Sequence, residues 1–340
     1  MKKPDPKAEG KDGLTRVGQM DLLKSLTRDV APLTAQQDKF LDAAVHIQRE
    51  APDDDDLAYM ARELVQCTLP HRDPGPVPFW VRTNGNVTLS IVSDYDPRTK
   101  KIVGYPYGSI PRLLLFWLTT EALRKNSRMV KLGKNYAQFL REIGLDRSTG
   151  GGKRGDAARV REQARRLFSA RISFIGSCDK NGLVGDARVH MDVSSRSTLW
   201  WDLQRPDEAD PDESWVELGE EFFKTITRSC VPLDLRALNA LKRSPLALDL
   251  YAWATHKVYS ATRSGKTQFT SWVDLAAQFG AHYSNVSNFT QKAKAALRKI
   301  QAVYPGLNLQ YTDGGITVLP SSWPAIKPRA ARRRTPAGGD

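Results

Sequence analysis

A degenerate internal repeat is the feature that most restricts how this chain can fold. Apolar and small residues of one segment recur 136 residues later, where Ile110, Leu114, Trp117 and Thr119 correspond to Leu246, Leu250, Trp253 and Thr255. Farther on the offset falls to 129, where Val160, Ala164 and Phe168 correspond to Phe289, Ala293 and Leu297. The difference of seven residues equals the length of the glycine-rich segment 150–156. Such a repeat indicates one supersecondary unit that is used twice.

Hydrophobic periodicity predicts the same helices in both copies of this unit. Each copy is expected to contain a long apolar helix, a short helix, a turn, a basic helix and a β-hairpin, in that order. The predicted helices are 109–126, 135–143 and 156–170 in the first copy and 245–262, 272–279 and 285–303 in the second. This is the order of elements in a winged helix. The sequence therefore predicts an α+β fold with two tandem winged-helix domains.

The predicted domain organisation has four parts. An N-terminal extension, partly disordered and partly helical, covers residues 1–75. The first winged-helix domain covers residues 76–205, and the second covers residues 214–322. A disordered, basic tail covers residues 323–340.

Two segments before the first domain have predictions of their own. The stretch 69–78 contains four prolines and a glycine and is expected to be a linker. The acidic run 53–56 favours a helix that begins at Leu57, because carboxylates stabilise a helix N-terminus, although a solvated loop is the alternative.

Strands are predicted on both sides of the first set of helices. The Asn84-Gly85 turn between two β-branched runs predicts a hairpin at 79–92. A second hairpin is expected within 172–193, where Val189, Met191 and Val193 would share one face of the strand. The strand-like segment 215–218 is expected to open the second domain.

The distribution of charge indicates a polyanionic partner. The chain has a net charge of +13, yet residues 1–78 carry 11 Lys/Arg and 14 Asp/Glu, which leaves 40 against 24 for the remainder. Positive charge concentrated in the part that is expected to fold favours nucleic acid over the alternatives of a solubility charge or acidic lipid.

The two predicted basic helices are the candidate DNA-binding elements. Residues 109–175 hold 15 Lys/Arg against 5 Asp/Glu, and residues 280–301 hold no acidic residue. A helix fits the major groove, where arginine and amide side chains contact base edges while lysine and hydroxyl groups contact phosphates. A solvated charged face is the alternative. Glu162 is the discordant acid, and it is expected either to contact a cytosine or to pair with Arg166.

The predicted DNA-binding residues lie in or just before these helices. They are Lys153, Arg154, Arg159, Arg161, Arg165 and Arg166 in the first copy, and Ser287, Asn288, Gln291, Lys292, Lys294, Arg298 and Lys299 in the second.

Enzyme and membrane functions are disfavoured. The five histidines form no HxH or HxxxH pair, so we expect no catalytic site, no metal and no cofactor. The glycine-rich loop 149–155 has Arg154 where a phosphate-binding loop has Ser or Thr, and it follows a helix. Three separated cysteines fit a reducing cytosol, and no apolar run is long enough to span a membrane. A cytoplasmic location is therefore expected.

Four tracts resemble the RepA-type plasmid replication initiator family of broad-host-range bacterial plasmids. They are YGSIPRLLLFWLTTEA at 107–122, REQARRLFSARIS at 161–173, SWVELGEEFF at 214–223 and VPLDLRALNALKRSPLALDLYAW at 231–253. The resemblance covers roughly residues 75–322 and leaves out the N-terminal extension and the basic tail.

The resemblance implies a protein that binds repeated origin sequences, called iterons, on double-stranded DNA. It further implies opening of an adjacent AT-rich segment and recruitment of the host initiator and the replicative helicase. A monomer–dimer equilibrium is implied as well. In that scheme the first winged helix contributes dimerisation and contacts to the DNA backbone, and the second reads much of the sequence.

Two other functions remain open alternatives at this point. The first is a DNA-binding transcriptional repressor, acting on its own gene or others, without initiator activity. The second is a strand-nicking enzyme, which the absence of a histidine pair disfavours.

Overall fold

The structure, a computed structural model, describes residues 33–145, 155–180, 183–199, 214–280 and 283–326. The chain divides into two compact units, Met1–Asp42 and Ala43–Asp340. The described residues of the first unit, 33–42, contain the start of helix α1 (Ala35–Arg49). The N-terminal extension, predicted to be partly helical, thus contains a helix from Ala35 onward, and residues 1–32 lie outside the described part of the chain.

The second unit mixes helices with small antiparallel sheets. Its helices are α2 (Arg62–Gln66), α3 (Ser109–Lys125), α4 (Tyr136–Glu142), α5 (Asp156–Ser169), α6 (Glu220–Arg228), α7 (Leu235–Leu241), α8 (Pro245–Ser264), α9 (Trp272–Phe279) and α10 (Val286–Val303). Its strands are β1 (Leu57–Ala61), β2 (Trp80–Asn84), β3 (Val87–Val92), β4 (Tyr95–Asp96), β5 (Lys101–Ile102), β6 (Met129–Lys131), β7 (Arg171–Lys180), β8 (Leu183–His190), β9 (Ser194–Thr198), β10 (Trp215–Leu218), β11 (Cys230–Asp234), β12 (Gln268–Ser271), β13 (Leu309–Tyr311) and β14 (Gly315–Val318).

The two copies of the repeat share one order of elements. The first copy runs α3, β6, α4, α5, β9 and β10, and the second runs α8, β12, α9, α10, β13 and β14. In each copy the three strands form an antiparallel sheet with the last strand in the middle, as β6-β10-β9 and β12-β14-β13. The sequence repeat is therefore a repeat of helices, strands and strand pairing.

Short polar residues fix the starts of the helices in the second copy. Ser244 before α8, Ser271 before α9 and Asn285 before α10 each accept a hydrogen bond from the amide of the third residue of the helix. Each of these bonds satisfies an amide that has no partner within its own helix. Helix α8 ends at Gly265, whose φ of 65° is in the left-handed region that glycine adopts without steric cost.

The hairpin predicted at 172–193 is an addition to the first copy and not part of its three-stranded sheet. Strands β7 and β8 extend the β2–β3 hairpin into a four-stranded sheet, β2-β3-β7-β8. Segment 215–218, expected to open the second domain, instead pairs as β10 with β6 and β9. The face prediction was wrong for Val189, which is 42% exposed, whereas Met191 and Val193 are buried. Strand β8 ends at His190, so its alternation does not extend to these two residues.

Residues 57–61 form a strand and not the helix that the acidic run favoured. Strand β1 pairs antiparallel with β11, with Leu57 opposite Asp234. The Asp53 carboxylate accepts hydrogen bonds from the amides of Asp55 and Asp56, at 2.8 and 3.0 Å. Because the acids close a turn in this way, the chain enters a strand whose partner lies far along the sequence.

The long helices α3 and α8 pack against each other at the centre of the second unit. Leu114 in α3 and Leu250 in α8 are completely buried, and Trp253 is 2% exposed. Helix α3 also packs against β1 and α5, and α8 packs against α10. Both candidate DNA helices are therefore anchored to one central pair of helices. Within the described ranges, no helix combines the length and apolar character needed to cross a membrane.

Candidate nucleic-acid interface

The outer face of α10 carries two parallel rows of polar and basic side chains. The first row consists of Ser287, Gln291, Lys294 and Arg298, at spacings of four, three and four residues. The second row, beside it, consists of Asn288, Lys292 and Lys299, at spacings of four and seven residues. All are exposed except Lys294, which is half-buried. The opposite side of the helix is completely buried through Phe289, Ala293 and Leu297. This apolar stripe brings together on one surface all seven of the residues predicted in the second copy.

The positive charge of this surface has no carboxylate to balance it in the described ranges. None of its four cations forms an ion pair with a described Asp or Glu. At the start of the helix, Asn288 donates to the Ser284 hydroxyl at 2.8 Å. The helix N-terminus adds a partial positive charge at the same end. The whole face is thus electropositive and rich in hydrogen-bond donors.

Lys294 is held against the aromatic core of its own repeat. Its Nζ lies 5.2 Å from the centre of the Trp272 ring. Trp272 in turn stacks on Tyr311, with ring centres 6.5 Å apart, and donates from Nε1 to the Thr312 carbonyl. A cation over an aromatic face keeps its charge and its donors while its position is restricted. Lys294 is therefore the best fixed cation of this surface.

The cations of α5 differ, because acids of the same helix bind most of them. Arg159 pairs with Asp156 at 3.2 Å, and Arg165 pairs with Glu162 at 3.2 Å. Arg161 is exposed and has no carboxylate partner among the described residues. The surface of α5 therefore carries much less unbalanced charge than that of α10.

Arg166 is built into the protein and only 17% of its side chain is exposed. Its guanidinium binds Glu162 at 2.9 Å and Asp73 at 3.1 Å, and it lies over the Tyr107 ring. The alternative in which Glu162 pairs with Arg166 is thus the one seen in the structure. Gly104, with a φ of 96°, lies against this guanidinium, and a Cβ there would come within 2.9 Å of it. Lys153 and Arg154 lie outside the described residues.

A buried cluster of charged groups escaped the sequence prediction. Arg112 in α3 binds Asp249 in α8 through two hydrogen bonds, Nε to Oδ1 at 2.7 Å and Nη2 to Oδ2 at 2.8 Å. His71 Nε2 lies 2.7 Å from the same Oδ2. All three residues are buried. The available signal was a single charge in an otherwise uncharged stretch of each helix, Arg112 within 109–120 and Asp249 within 245–255, because a buried charge requires a partner.

The segment expected to be a linker supplies acceptors to this cluster. Leu69 is 2% exposed. Arg112 donates to the carbonyls of Leu69 and Pro70, at 2.6 and 3.1 Å. The linker prediction was wrong at this end, because a guanidinium has five donors. Asp249 accepts from two of them, the carbonyls of this segment accept from two more, and the Gly108 carbonyl accepts from the last at 2.7 Å.

The chain matches the sequence profile of one protein family. Residues 105–274, half of the chain of 340 residues, match the family described as "Plasmid encoded RepA protein". The match includes all of α3 to α8 and ends before α10. No curated protein sequence matches the chain.

Solved structures of RctB show a distant likeness. A crystal structure of selenomethionine derivatives of its domains 2 and 3 has 14% identity and a TM-score of 0.43, covering 73% of this chain and 93% of that chain. A second structure of RctB domains 2–3 has 11% identity and a TM-score of 0.40, covering 75% of this chain and 94% of that chain. The family match itself extends over half of the sequence. The chain belongs to the RepA-type plasmid replication initiator family.

Proposed function

We propose that this chain is a plasmid replication initiator that binds the iteron repeats of its origin. The observation that carries the proposal is the exposed surface of α10, whose cations are not balanced by described carboxylates. Such a surface binds DNA strongly, because phosphate contacts release condensed counterions. Family membership supports the role in plasmid replication. The role of α10 rests on its own geometry, since the family match ends at residue 274.

Each copy of the repeat acts as a winged helix in this proposal, with α5 and α10 as the helices that meet DNA. The repeated order of helices and the three-stranded sheets support it. Ser287, Asn288 and Gln291 supply hydroxyl and amide groups suited to base edges and phosphates. Helix α10 would therefore read sequence, whereas α5, with most of its cations already paired, would contact the backbone and take part in dimerisation.

The remaining parts of the proposal follow from the family. The initiator would open an AT-rich segment beside its iterons and recruit the host initiator and the replicative helicase. It would change between monomer and dimer and act in the bacterial cytoplasm. No catalytic step is proposed.

A footprint on the plasmid origin tests the proposal directly. The purified protein should protect direct repeats near its own gene from DNase, and it should support replication of a plasmid that carries only that origin. Protection of an operator palindrome without support of replication would identify a repressor instead. Strand-specific cleavage with a covalent 5′ adduct would identify a nicking enzyme.

A further inference from the structure

One segment of main chain, largely buried up to His71 and exposed at Arg72 and Asp73, is hydrogen-bonded by side chains from both copies of the repeat. This segment, residues 65–73, is called the strap. Gln278 of α9, in the second copy, donates to the carbonyls of Val65 and Gln66, at 3.2 and 2.8 Å. Arg112 of α3, in the first copy, donates to the carbonyls of Leu69 and Pro70, farther along the strap. The two copies are therefore connected through a common piece of main chain.

The Arg112–Asp249–His71 cluster also joins the two copies directly, because Arg112 lies in α3 and Asp249 in α8. A guanidinium and a carboxylate joined by two parallel hydrogen bonds share one plane, so their geometry tolerates little rotation. His71, which belongs to the strap, holds the same carboxylate. Separating α3 from α8 would leave opposite charges buried without partners, which is strongly unfavourable. The cluster therefore fixes the relative placement of the two central helices.

One end of the strap contacts a candidate DNA helix, and the other end is bound by the helix next to the second candidate. Asp73 forms an ion pair with Arg166 of α5 at 3.1 Å. Gln278, which binds the carbonyls of Val65 and Gln66, lies in α9, and α9 packs against α10. The strap is thus paired with α5 and joined to α10 through α9.

We propose that Arg112, Asp249 and His71 are positioning residues that set one distance and one angle between α5 and α10. The DNA target is then a site of two contacted segments at a single spacing. A rigid pair of binding elements has a high effective concentration at the correct spacing and loses it at others. This inference rests on the proposed function, because it requires both helices to contact DNA.

A series of DNA sites with altered spacing tests the inference on the unmodified protein. Base pairs are inserted between the segments that the first and second copies protect in a footprint. An insertion of about 5 base pairs turns one segment by roughly half a helical turn. We expect affinity to fall about 10- to 100-fold and one of the two footprints to disappear.

Variants then assign the spacing requirement to the cluster. Asp249→Asn keeps the size of the side chain but removes the charge that binds Arg112, and Arg112→Lys replaces a planar fork by a point charge. Glu220→Gln is the matched control, since it removes the same charge from an exposed ion pair with Lys224. The readout is the ratio of affinities for the native and expanded sites, measured below the melting temperature of each variant. A purely structural role of the cluster would not change this ratio.

The ratio should fall toward one in at least one cluster variant and stay at the wild-type value in Glu220→Gln. If the wild type binds both sites equally, with both segments protected, the inference is overturned while the proposed function stands. An unchanged ratio in both folded cluster variants removes the assignment to these residues. If the wild type does not bind origin DNA, the proposed function fails and the inference fails with it.

Discussion

At the scale of single residues, the hydrogen bond to Asp249 determines which ring nitrogen of His71 carries a proton. An ionised carboxylate only accepts hydrogen bonds, so His71 donates from Nε2 to Asp249. Burial lowers the pKa of His71 to about 4 despite that bond. Burial alone would raise the pKa of Asp249, but Arg112 and His71 hold it at about 2. At neutral pH the cluster therefore consists of a neutral histidine and one ion pair.

Acid should destabilise the protein through His71. The unfolded chain takes up a proton there below the ordinary histidine pKa of 6.5, and the folded chain only below about 4. The free energy of unfolding should thus fall by roughly 3 kcal/mol as the pH drops through this interval. Urea unfolding as a function of pH measures it. In His71→Gln, which keeps a donor without titrating, a slope equal to that of the wild type would contradict the prediction.

Replacement of Trp253 tests the core of α8. Its side chain is 2% exposed. Trp253→Ala should lower the free energy of unfolding by about 3–5 kcal/mol, because it removes a large apolar side chain and leaves a cavity. Val273→Ala is the control on the neighbouring helix, where the valine is 64% exposed and the expected change is within about 0.5 kcal/mol. Chemical denaturation measures the free energy of unfolding of both variants. An equal decrease in the two would contradict the placement of Trp253 in the core.

At the scale of elements, α5 and α10 occupy the same place in the repeat but differ in how many of their cations form ion pairs with acids. Asp156 and Glu162 bind every arginine of α5 except Arg161. Helix α10 has no acid of its own, and Lys294 is fixed by an aromatic ring. A phosphate therefore meets four cations without a described carboxylate partner on α10, but only one such cation, Arg161, on α5.

The salt dependence of DNA binding should separate the two helices. Replacing Arg298 and Lys299 by Gln should weaken binding and reduce the slope of log K against log salt by about one unit for each phosphate contact that is lost. The same replacement of Arg159 and Arg165 on α5 should reduce the slope less, because Asp156 and Glu162 already hold those charges. Filter binding or fluorescence anisotropy at several salt concentrations measures both slopes. A larger loss from the α5 variant would reverse the proposed roles.

Lys294 offers a narrower test on α10. Lys294→Ala removes a cation whose position Trp272 restricts, so affinity for the iteron should fall without a large loss of stability. Anisotropy titration and thermal unfolding of the same variant separate the two effects. Unchanged affinity and salt slope would place the DNA contact elsewhere on the surface.

At the scale of the whole molecule, residues 43–340 form one compact unit that contains both copies. The central helices α3 and α8 pack together, and a buried ion pair joins them. Two domains joined by a free linker could unfold independently, but here side chains of both copies bind the main chain of the strap. The two copies should therefore unfold together.

A cooperative transition is the expected outcome of urea unfolding. Circular dichroism and tryptophan fluorescence should report the same midpoint for the wild type. Arg112→Ala leaves the charge of Asp249 buried without its partner, which should cost about 3–5 kcal/mol and separate the transitions of the two copies. Two transitions in the wild type would show that the copies are not coupled.

Much of the helical structure could be predicted from local signals. The apolar runs of α3 and α8, the end of α3 at Asn126 and the seven polar residues of α10 are all visible in the sequence, whereas α8 extends two residues beyond its predicted end at 262. The strand at Leu57–Ala61 could not be found, because its partner is β11, far along the chain. The hairpin β7–β8 was predicted, but its pairing with β3 was not, for the same reason. Its alternation does not say which sheet it joins.

The sequence by itself determined that one order of helices occurs twice and that each copy ends its helical part with a basic helix. Helical periodicity and capping depend on neighbours within a few residues, so they can be read directly. Only the tertiary structure decided which strands complete each sheet, that Arg166 of α5 also pairs with Asp73, and that Arg112, Asp249 and His71 join the copies. These depend on groups far apart in the chain, and buried charges find their partners only when the chain has folded.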